Sequence, residues 1–302
     1  MGAIINNLRD SLTGTVLADE PMSQHTTWRV GGPADLFIEP ADPADLQRTL
    51  SLLKAAGVPW MVVGAGSNLL VKDGGIRGAV IHLKHFRRLD IEETGRVTAG
   101  GGLPLMTLIR ETTACGLAGL EALAGIPGTV GGGVAMNAGA GGQQLADVVE
   151  SVELAGPAAL EIWTKDRLRF AYRRSALAGE RILISAVMQF RRGAAAELAA
   201  AVRQRLADRR EAQQVGGPNA GSVFKNPPGR SAWKLIEAAG MRGATIGGAR
   251  VADRHANFIV NGGQARARDI LELIDWIREQ VRLSSGIELE PEVRIVGADP
   301  IA

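Results

Sequence analysis

The chain has 302 residues, 46% of them hydrophobic and 22% charged, enough apolar material for one large core or two to three small ones and too much for a disordered chain. Its 34 Lys plus Arg against 32 Asp plus Glu leave a net charge of +2, which gives no general drive toward nucleic acid or an acidic membrane. The single cysteine, Cys115, excludes an internal disulfide or a multi-cysteine zinc site and fits the reducing cytoplasm.

Met1 to Asp10 has no basic stretch leading into an apolar run, so no secretory signal is expected. Residues 1–34 show little periodicity. Asp35 to Glu39 reads as a strand. Asp42-Pro43 has the form of a helix N-cap with proline at the first helical position, and Leu46, Leu50 and Leu53 follow at helical spacing up to Gly57. Val58 to Val63 is a strand, and the division 1–60, 61–192 and 193–302 is expected from the changes of texture along the chain. In the middle segment short apolar runs at Leu69 to Val71, Ala79 to Leu83 and Val97 to Ala99 alternate with glycine-rich turns. Pro104 opens a short helix with Leu105, Leu108 and Ile109 on one face, closed by Gly116, and Cys115 is expected on its apolar side. Strands resume at Val149 to Leu154, Leu160 to Trp163 and Ile182 to Phe190. Residues 193–212 form one helix with a narrow stripe of Leu198, Val202 and Leu206, read as a connector. Beyond it Ser231 is expected to cap a helix ending at Gly240. Asn257 to Asn261 reads as a strand, Ile270, Leu273, Ile274, Ile277 and Val281 as a helical stripe, and Ile287 to Val296 as a closing strand. No apolar run approaches the roughly 20 residues that span a bilayer.

Glycine is in excess, 39 residues, and it is clustered. Gly64-Ala65-Gly66 after a strand invites a dinucleotide-fold reading, which fails: position 69 is Leu, and Leu69 to Val71 reads as a strand rather than a helix. No Gly-Lys-Ser/Thr follows, so it is no Walker loop. What stands there is strand, Gly-x-Gly-Ser-Asn, strand. Such a turn can offer successive N–H groups, the Ser67 hydroxyl and the Asn68 amide to an anion, and Gly125 to Gly133 offers the same chemistry a second time. Two such loops suit a ligand with two phosphates; tight turns without a ligand are the alternative. His25, His82, His85 and His255 stand at no metal-ligand spacing, so no metal site is expected. Tyr172 to Ser175, Gly221 to Pro227 and Glu288 to Arg294 plant polar residues in apolar, strand-like surroundings.

Taken together, Thr26 to Gly32, Gly64 to Val71, Gly125 to Gly132, Met136 to Gly139, Tyr172-Arg173, Gly221 to Pro227, His255 to Asn261 and Glu290 to Gly297 resemble, in order and almost end to end, the flavoprotein family of UDP-N-acetylenolpyruvoylglucosamine reductases. The resemblance implies an α+β fold: a two-part FAD-binding unit of the vanillyl-alcohol-oxidase type, followed by a C-terminal α+β substrate domain whose last strand returns to the first part. It implies NADPH-dependent reduction, through non-covalent FAD, of UDP-N-acetylglucosamine enolpyruvate in peptidoglycan precursor synthesis. By position, Arg29, Gly31, Gly64, Gly66, Ser67, Asn68, Ile126, Gly128, Thr129, Gly132 and Asn137 would hold FAD. Ser222 would be the proton donor, Arg173 the active-site arginine and Glu292 the active-site glutamate, with Lys225 and Asn226 as substrate-binding neighbours. The interval from Arg173 to Ser222 is short and Tyr172 is the sole tyrosine. This places the chain with the shorter class, which lacks the tyrosine lid loop. Gln213-Gln214 followed by Val215 to Pro218 stands where relatives often have Gln-Pro. The main rival is an oxidase on the same FAD scaffold, because a fold does not fix a function; a nucleotide-sugar binding module and a nucleic-acid binder are weaker rivals.

Overall fold

A computed structural model describes residues 2–177, 181–213 and 215–300; Met1 and Gln214, invoked above, lie outside them. The chain divides into two compact units. The first comprises 1–18, 36–65 and 78–208, the second 19–35, 66–77 and 209–302.

The first unit contains two sheets. In one the strand order is Thr15–Pro21, Pro33–Glu39, Ile76–His82, Trp60–Val63, with Trp60 opposite Ala79 and Val63 opposite His82 in parallel. The helix Pro43–Ala55 packs Leu46, Leu50 and Leu53 into a core with Leu36, Ile38 and Ile81. Its start is fixed as the sequence implies: the Asp42 carboxylate accepts the Asp45 N–H at 2.8 Å, with Pro43 next in line. The buried Asp45 carboxylate takes the Thr13, Gly14 and Ala41 N–H groups at 2.9–3.0 Å, turning the preceding segment onto the helix. That segment was read as aperiodic; it holds the helix Gly2–Ser11, whose Leu8 is fully buried, and the strand Thr15–Pro21.

The second sheet is antiparallel, ordered Leu160–Thr164, Val149–Ala155, Ile182–Gln189, Arg96–Gly100, Leu89–Ile91. Its core joins Val97, Val152, Ala186 and Met188 to Leu105, Leu108 and Ile109 of the helix Leu105–Ala114 and to Val130 and Val134. Cys115 departs from expectation. It is the C-cap of that helix and exposed, because Gly116 (φ 69°) turns the chain away one residue later. The helix Ala195–Gln213 buries Val202 alone, Leu206 packs partly against the same core, and the boundary between units falls after Asp208.

The second unit is organised on the helix Ala267–Ser285. Ile270, Leu273, Ile274, Ile277 and Val281 are buried with Trp28, Leu70, Phe224 and Ile236. Gly286 ends it in the left-handed conformation at φ 69°. At its other end the Asp73 carboxylate accepts the Ala267 and Arg268 N–H groups, each at 2.9 Å, satisfying two of the helix's orphan donors. Thr245–Ile246, Ala249–Val251 and Ile259–Asn261 form a small antiparallel sheet. The expected strand from Ile287 is shorter: only Arg294–Val296 is strand, in parallel register with Leu69–Val71. Pro291, which has no N–H to donate to a ladder, makes only an isolated bridge with Phe224. Among the described residues no helix is long and apolar enough to cross a membrane.

Glu39 carries one pH-dependent term of the first unit. It is 8% exposed and accepts from His82 Nδ1 at 2.8 Å and Lys84 Nζ at 3.1 Å. Burial pushes its carboxyl up, but the hydrogen bonds and charges of His82 and Lys84 outweigh that and hold it below the usual 4.5. A depressed carboxyl stabilises the fold above its unfolded value, and the contribution is lost as pH falls through the folded value. Glu39→Gln is expected to lose about 1–3 kcal/mol at neutral pH, the scale of hydrogen bonds to a charged group. The deficit against the parent should shrink as the pH drops below 4.5. Thermal unfolding of both proteins across that range checks it, and a deficit independent of pH would contradict it.

Candidate functional site

In the first unit the two glycine-rich loops meet. Gly64 follows the strand Trp60–Val63, and a side chain there would begin 2.6 Å from Thr129 Oγ1. Thr129 caps the short helix Val130–Ala135, its hydroxyl accepting the Gly132 N–H at 3.4 Å. Gly131 N–H bonds Gly101 O at 2.9 Å. Gly128 has φ 132°, a conformation that side chains rarely adopt, and Ile126 is half-buried against the sheet core. Neither 64–68 nor 125–137 contains an acidic residue. Bare backbone around a neutral hydroxyl, with no carboxylate to repel it, is the donor chemistry that a diphosphate needs, so these residues fit a phosphate-bearing cofactor such as FAD.

Asn137 is buried at φ 42°, and its amide is committed within the protein. Nδ2 donates to Gln144 Oε1 at 2.9 Å and to Ala171 O at 3.1 Å, and Oδ1 accepts the Ala146 N–H at 3.0 Å. It thereby staples the segment that carries Arg173. That segment is not strand-like as expected but a tight turn, with Ala171 bridged to Arg174 and Arg173 at φ 57°. Arg173 Nη1 donates to Gly139 O at 2.8 Å, and Ser175 Oγ to Ala135 O at 3.0 Å.

In the second unit Gly66 has φ 62°, and an added Cβ would lie 2.0 Å from His25 O. Thr27 N–H bonds Gly66 O at 3.3 Å. The Thr27 hydroxyl oxygen is buried with no hydrogen-bond partner among the described residues, an orphan of the kind a ligand satisfies. Trp28 is fully buried and donates to Ile259 O at 2.7 Å, while Asn261 Nδ2 donates to Trp28 O at 2.9 Å. This strap leaves Arg29, at φ 57°, exposed on the turn. Gly31 sits at φ 123° against Val71.

Ser67 precedes Asn68, which is tied to the C-terminal segment rather than standing open. Asn68 Nδ2 donates to Glu292 O at 3.1 Å, and Arg294 N–H donates to Asn68 O at 3.0 Å. Glu292 N–H donates in turn to Val223 O at 2.7 Å, next in chain to Ser222. Ser222 and Glu292, both half-buried, are thus brought onto adjacent backbone within this unit, whereas Arg173 belongs to the first. Lys225 Nζ pairs with the Glu290 carboxylate. Asn226 Oδ1 accepts the Ala232 N–H at 2.9 Å, and so performs the capping expected of Ser231, whose side chain makes no cap bond. Asn257 and Asn261, both buried, were quoted only as part of a motif. Their signal was an amide planted at each end of an otherwise apolar Phe258 to Val260.

Comparison with known proteins places two family models on the chain. The "FAD binding domain" matches residues 34–160 and "UDP-N-acetylenolpyruvoylglucosamine reductase, C-terminal domain" matches 211–296. A UDP-N-acetylenolpyruvoylglucosamine reductase of Syntrophotalea carbinolica is 51% identical over 98% of this chain and 99% of its own length, and one of Heliobacterium modesticaldum is 50% identical over 94% and 91%. The crystal structure of the Thermus caldophilus enzyme of that name superposes with a TM-score of 0.81 at 34% identity, covering 94% of this chain and 99% of that one. Phl p 4.0202, a glucose dehydrogenase, matches at TM-score 0.50 and 16% identity over 74% of this chain and 52% of its own, a likeness of fold alone. The fold class is α+β, with an FAD-binding unit of the vanillyl-alcohol-oxidase type and a C-terminal α+β domain.

Gly66 and Gly57 separate two costs of adding a side chain. Both have positive φ, 62° and 63°, but only Gly66 is crowded, a Cβ at Gly57 meeting nothing within 4 Å. Gly57→Ala is expected to cost about 1 kcal/mol, the left-handed penalty alone. Gly66→Ala should cost at least about twice that, because backbone must also move. Paired thermal melts test the difference, and equal losses would remove the close-approach argument.

Proposed function

Because the chain belongs to the UDP-N-acetylenolpyruvoylglucosamine reductase family, we propose that it uses NADPH to reduce the enolpyruvyl group of UDP-N-acetylglucosamine enolpyruvate, through non-covalent FAD, in the cytoplasm, for peptidoglycan precursor synthesis. In this reading the cofactor is held by residues of 1–60 and 61–192: Arg29, Gly31, Gly64, Gly66, Ser67, Asn68, Ile126, Gly128, Thr129, Gly132 and Asn137. Residues 193–302 supply most of the substrate contacts. The chemistry FAD supplies when bound is relay of hydride from NADPH to C3 of the enolpyruvyl group.

Hydride arrival at C3 places negative charge on C2 and the adjoining carboxylate. Arg173 answers the carboxylate with a planar guanidinium fork, oriented by its 2.8 Å bond to Gly139 O. Ser222 answers C2: its hydroxyl is a weak acid in water but needs only position and a more basic acceptor. The O–H bond breaks, a C2–H bond forms, and the seryl oxygen recovers its proton from solvent or from Glu292. The Glu292 carboxyl polarises C2 or stores that proton. Lys225 exchanges Glu290 for the substrate's diphosphate or carboxylate, a small sacrifice because Glu290 is exposed and such pairs are worth about 0–1 kcal/mol. Asn226 is held beside it by its capping bond.

The observation that carries this reading is the 2.7 Å bond from Glu292 N–H to Val223 O, which sets the Ser222 and Glu292 segments side by side, each anchored to the core by its apolar neighbours Val223, Phe224, Leu289 and Val293. Ser222→Ala is expected to leave anaerobic flavin bleaching by NADPH intact and to slow reoxidation by the enolpyruvyl substrate by about 10²-fold or more, the scale of general acid catalysis. Equal slowing of both half-reactions would sink the proton-donor role. A flavin that recolours with oxygen but not with enolpyruvyl substrate would move the function to an oxidase. Arg173→Lys should also damage the second half-reaction, since an ammonium cannot make the bidentate contact; a rate within about 2-fold of the parent would refute the carboxylate role.

A further inference from the structure

The three residues after Ser222 form no regular strand, yet five of their six backbone polar groups are hydrogen-bonded. On one edge Val223 O accepts from Glu292 N–H at 2.7 Å and from Val293 N–H at 3.4 Å, and Lys225 N–H donates to Glu290 O at 2.9 Å. On the other edge there is a single residue, Asn257. Its backbone carbonyl accepts the Val223 N–H at 2.9 Å. Its side chain takes both polar groups of Phe224, Oδ1 accepting the N–H at 2.9 Å and Nδ2 donating to the carbonyl at 2.8 Å. A carboxamide has the same donor and acceptor as a peptide unit, so one side chain stands in for a missing strand.

The choice of residue is narrow. Asn257 is 4% exposed and Phe224 1%, so neither Phe224 group finds water if the amide is removed, and each orphan is costly. Aspartate keeps the acceptor but turns a carboxylate toward the Phe224 carbonyl. Serine is too short to reach both groups. What this clasp fixes is a segment with Ser222 at one end and the Glu292 strip along its far edge. A misplacement of about 1 Å remote from the chemistry can cost about 10²-fold in rate.

We infer that Asn257 is a positioning residue for the reduction: it fixes the Val223–Lys225 backbone, and through it Ser222 and Glu292, without touching substrate. The inference rests on Ser222 being the proton donor. The test uses the FAD-loaded full chain and four variants: Asn257→Ser, Asn257→Asp, Ser222→Ala, and the double variant Asn257→Ser/Ser222→Ala. Amide hydrogen exchange of the peptide spanning 221–226 should accelerate in both Asn257 variants, a readout independent of turnover. Anaerobic stopped flow should show flavin reduction by NADPH within about 2-fold of the parent and reoxidation by enolpyruvyl substrate slowed about 10–100-fold. The double variant should be little slower than Ser222→Ala alone, because both act on one group. If Ser222→Ala slows reoxidation while both Asn257 variants leave it unchanged, the positioning role is overturned and the proton-donor reading stands. If Ser222→Ala has no effect, that reading fails and the inference with it. Parallel slowing of both half-reactions in the Asn257 variants also overturns it, as the mark of general destabilisation. Should Asn257→Ser give no folded holoprotein, Asn257→Asp, nearly the same shape, decides on the same measurements.

Discussion

The second unit depends on a run of hydrogen bonds in which Asn68, Glu292, Val223 and Asn257 each hold the next. The members come from four separate stretches of chain, and only short pieces of them are regular strand. A sheet solves the problem of buried backbone polar groups by periodic pairing. Here pairing is broken by Pro291 and by the glycine turn at Gly221, φ 74°, and side-chain amides close the gaps. Irregular backbone is what lets one segment present a serine hydroxyl and the next a carboxyl without either being drawn into a ladder.

The first unit uses the opposite device. At Gly64, Gly128 and Gly132 the side chain is absent, and the approach of the Gly64 and Thr129 loops is close enough that a Cβ would meet the threonine hydroxyl at 2.6 Å. The left-handed backbone at Asn137 and Arg173 carries strain that persists only where surroundings over-determine it. The surroundings do so here: the Asn137 amide makes three bonds, and Arg173 is anchored to Gly139. Asn137 therefore supports Arg173's turn through its bond to Ala171 O.

The parts legible in the sequence are those with a local cause. Asp42-Pro43 marked a helix start, Gly286 a helix end, and the Ile270 to Val281 stripe a buried face, since periodicity and caps are written within one turn. The parts misread have causes far away in the chain. The link between the helix Gly2–Ser11 and the strand Thr15–Pro21, in the stretch read as aperiodic, is held by Asp45, whose carboxylate accepts the Thr13 and Gly14 N–H groups from more than 30 residues away. The helix Ala267–Ser285 is capped by Asp73, 194 residues earlier than Ala267. Ser231 had the right type and place for a cap, but Asn226 folds back to take the bond. Cys115 was assigned by helical face, yet the helix ends one residue before it. Of the candidate site, residue types and order were readable, and the pairing of the Ser222 and Glu292 segments was not, because no spacing records which backbone groups meet.

Glycine and asparagine are thus two answers to one constraint. A site on irregular backbone must leave some N–H and C=O groups for its ligand and satisfy all the others. Glycine opens backbone to the ligand by removing what would cover it. Buried asparagine closes backbone that the ligand will not use, because its amide matches a peptide at both donor and acceptor. Asn257 on Phe224 and Asn261 on Trp28 each lock a segment that neighbours a candidate site residue, the proposed proton donor Ser222 or the proposed cofactor contact Arg29. Asn261 ends the strand Ile259–Asn261 and Asn257 stands two residues before it, so both clasped segments are held to one short stretch of chain.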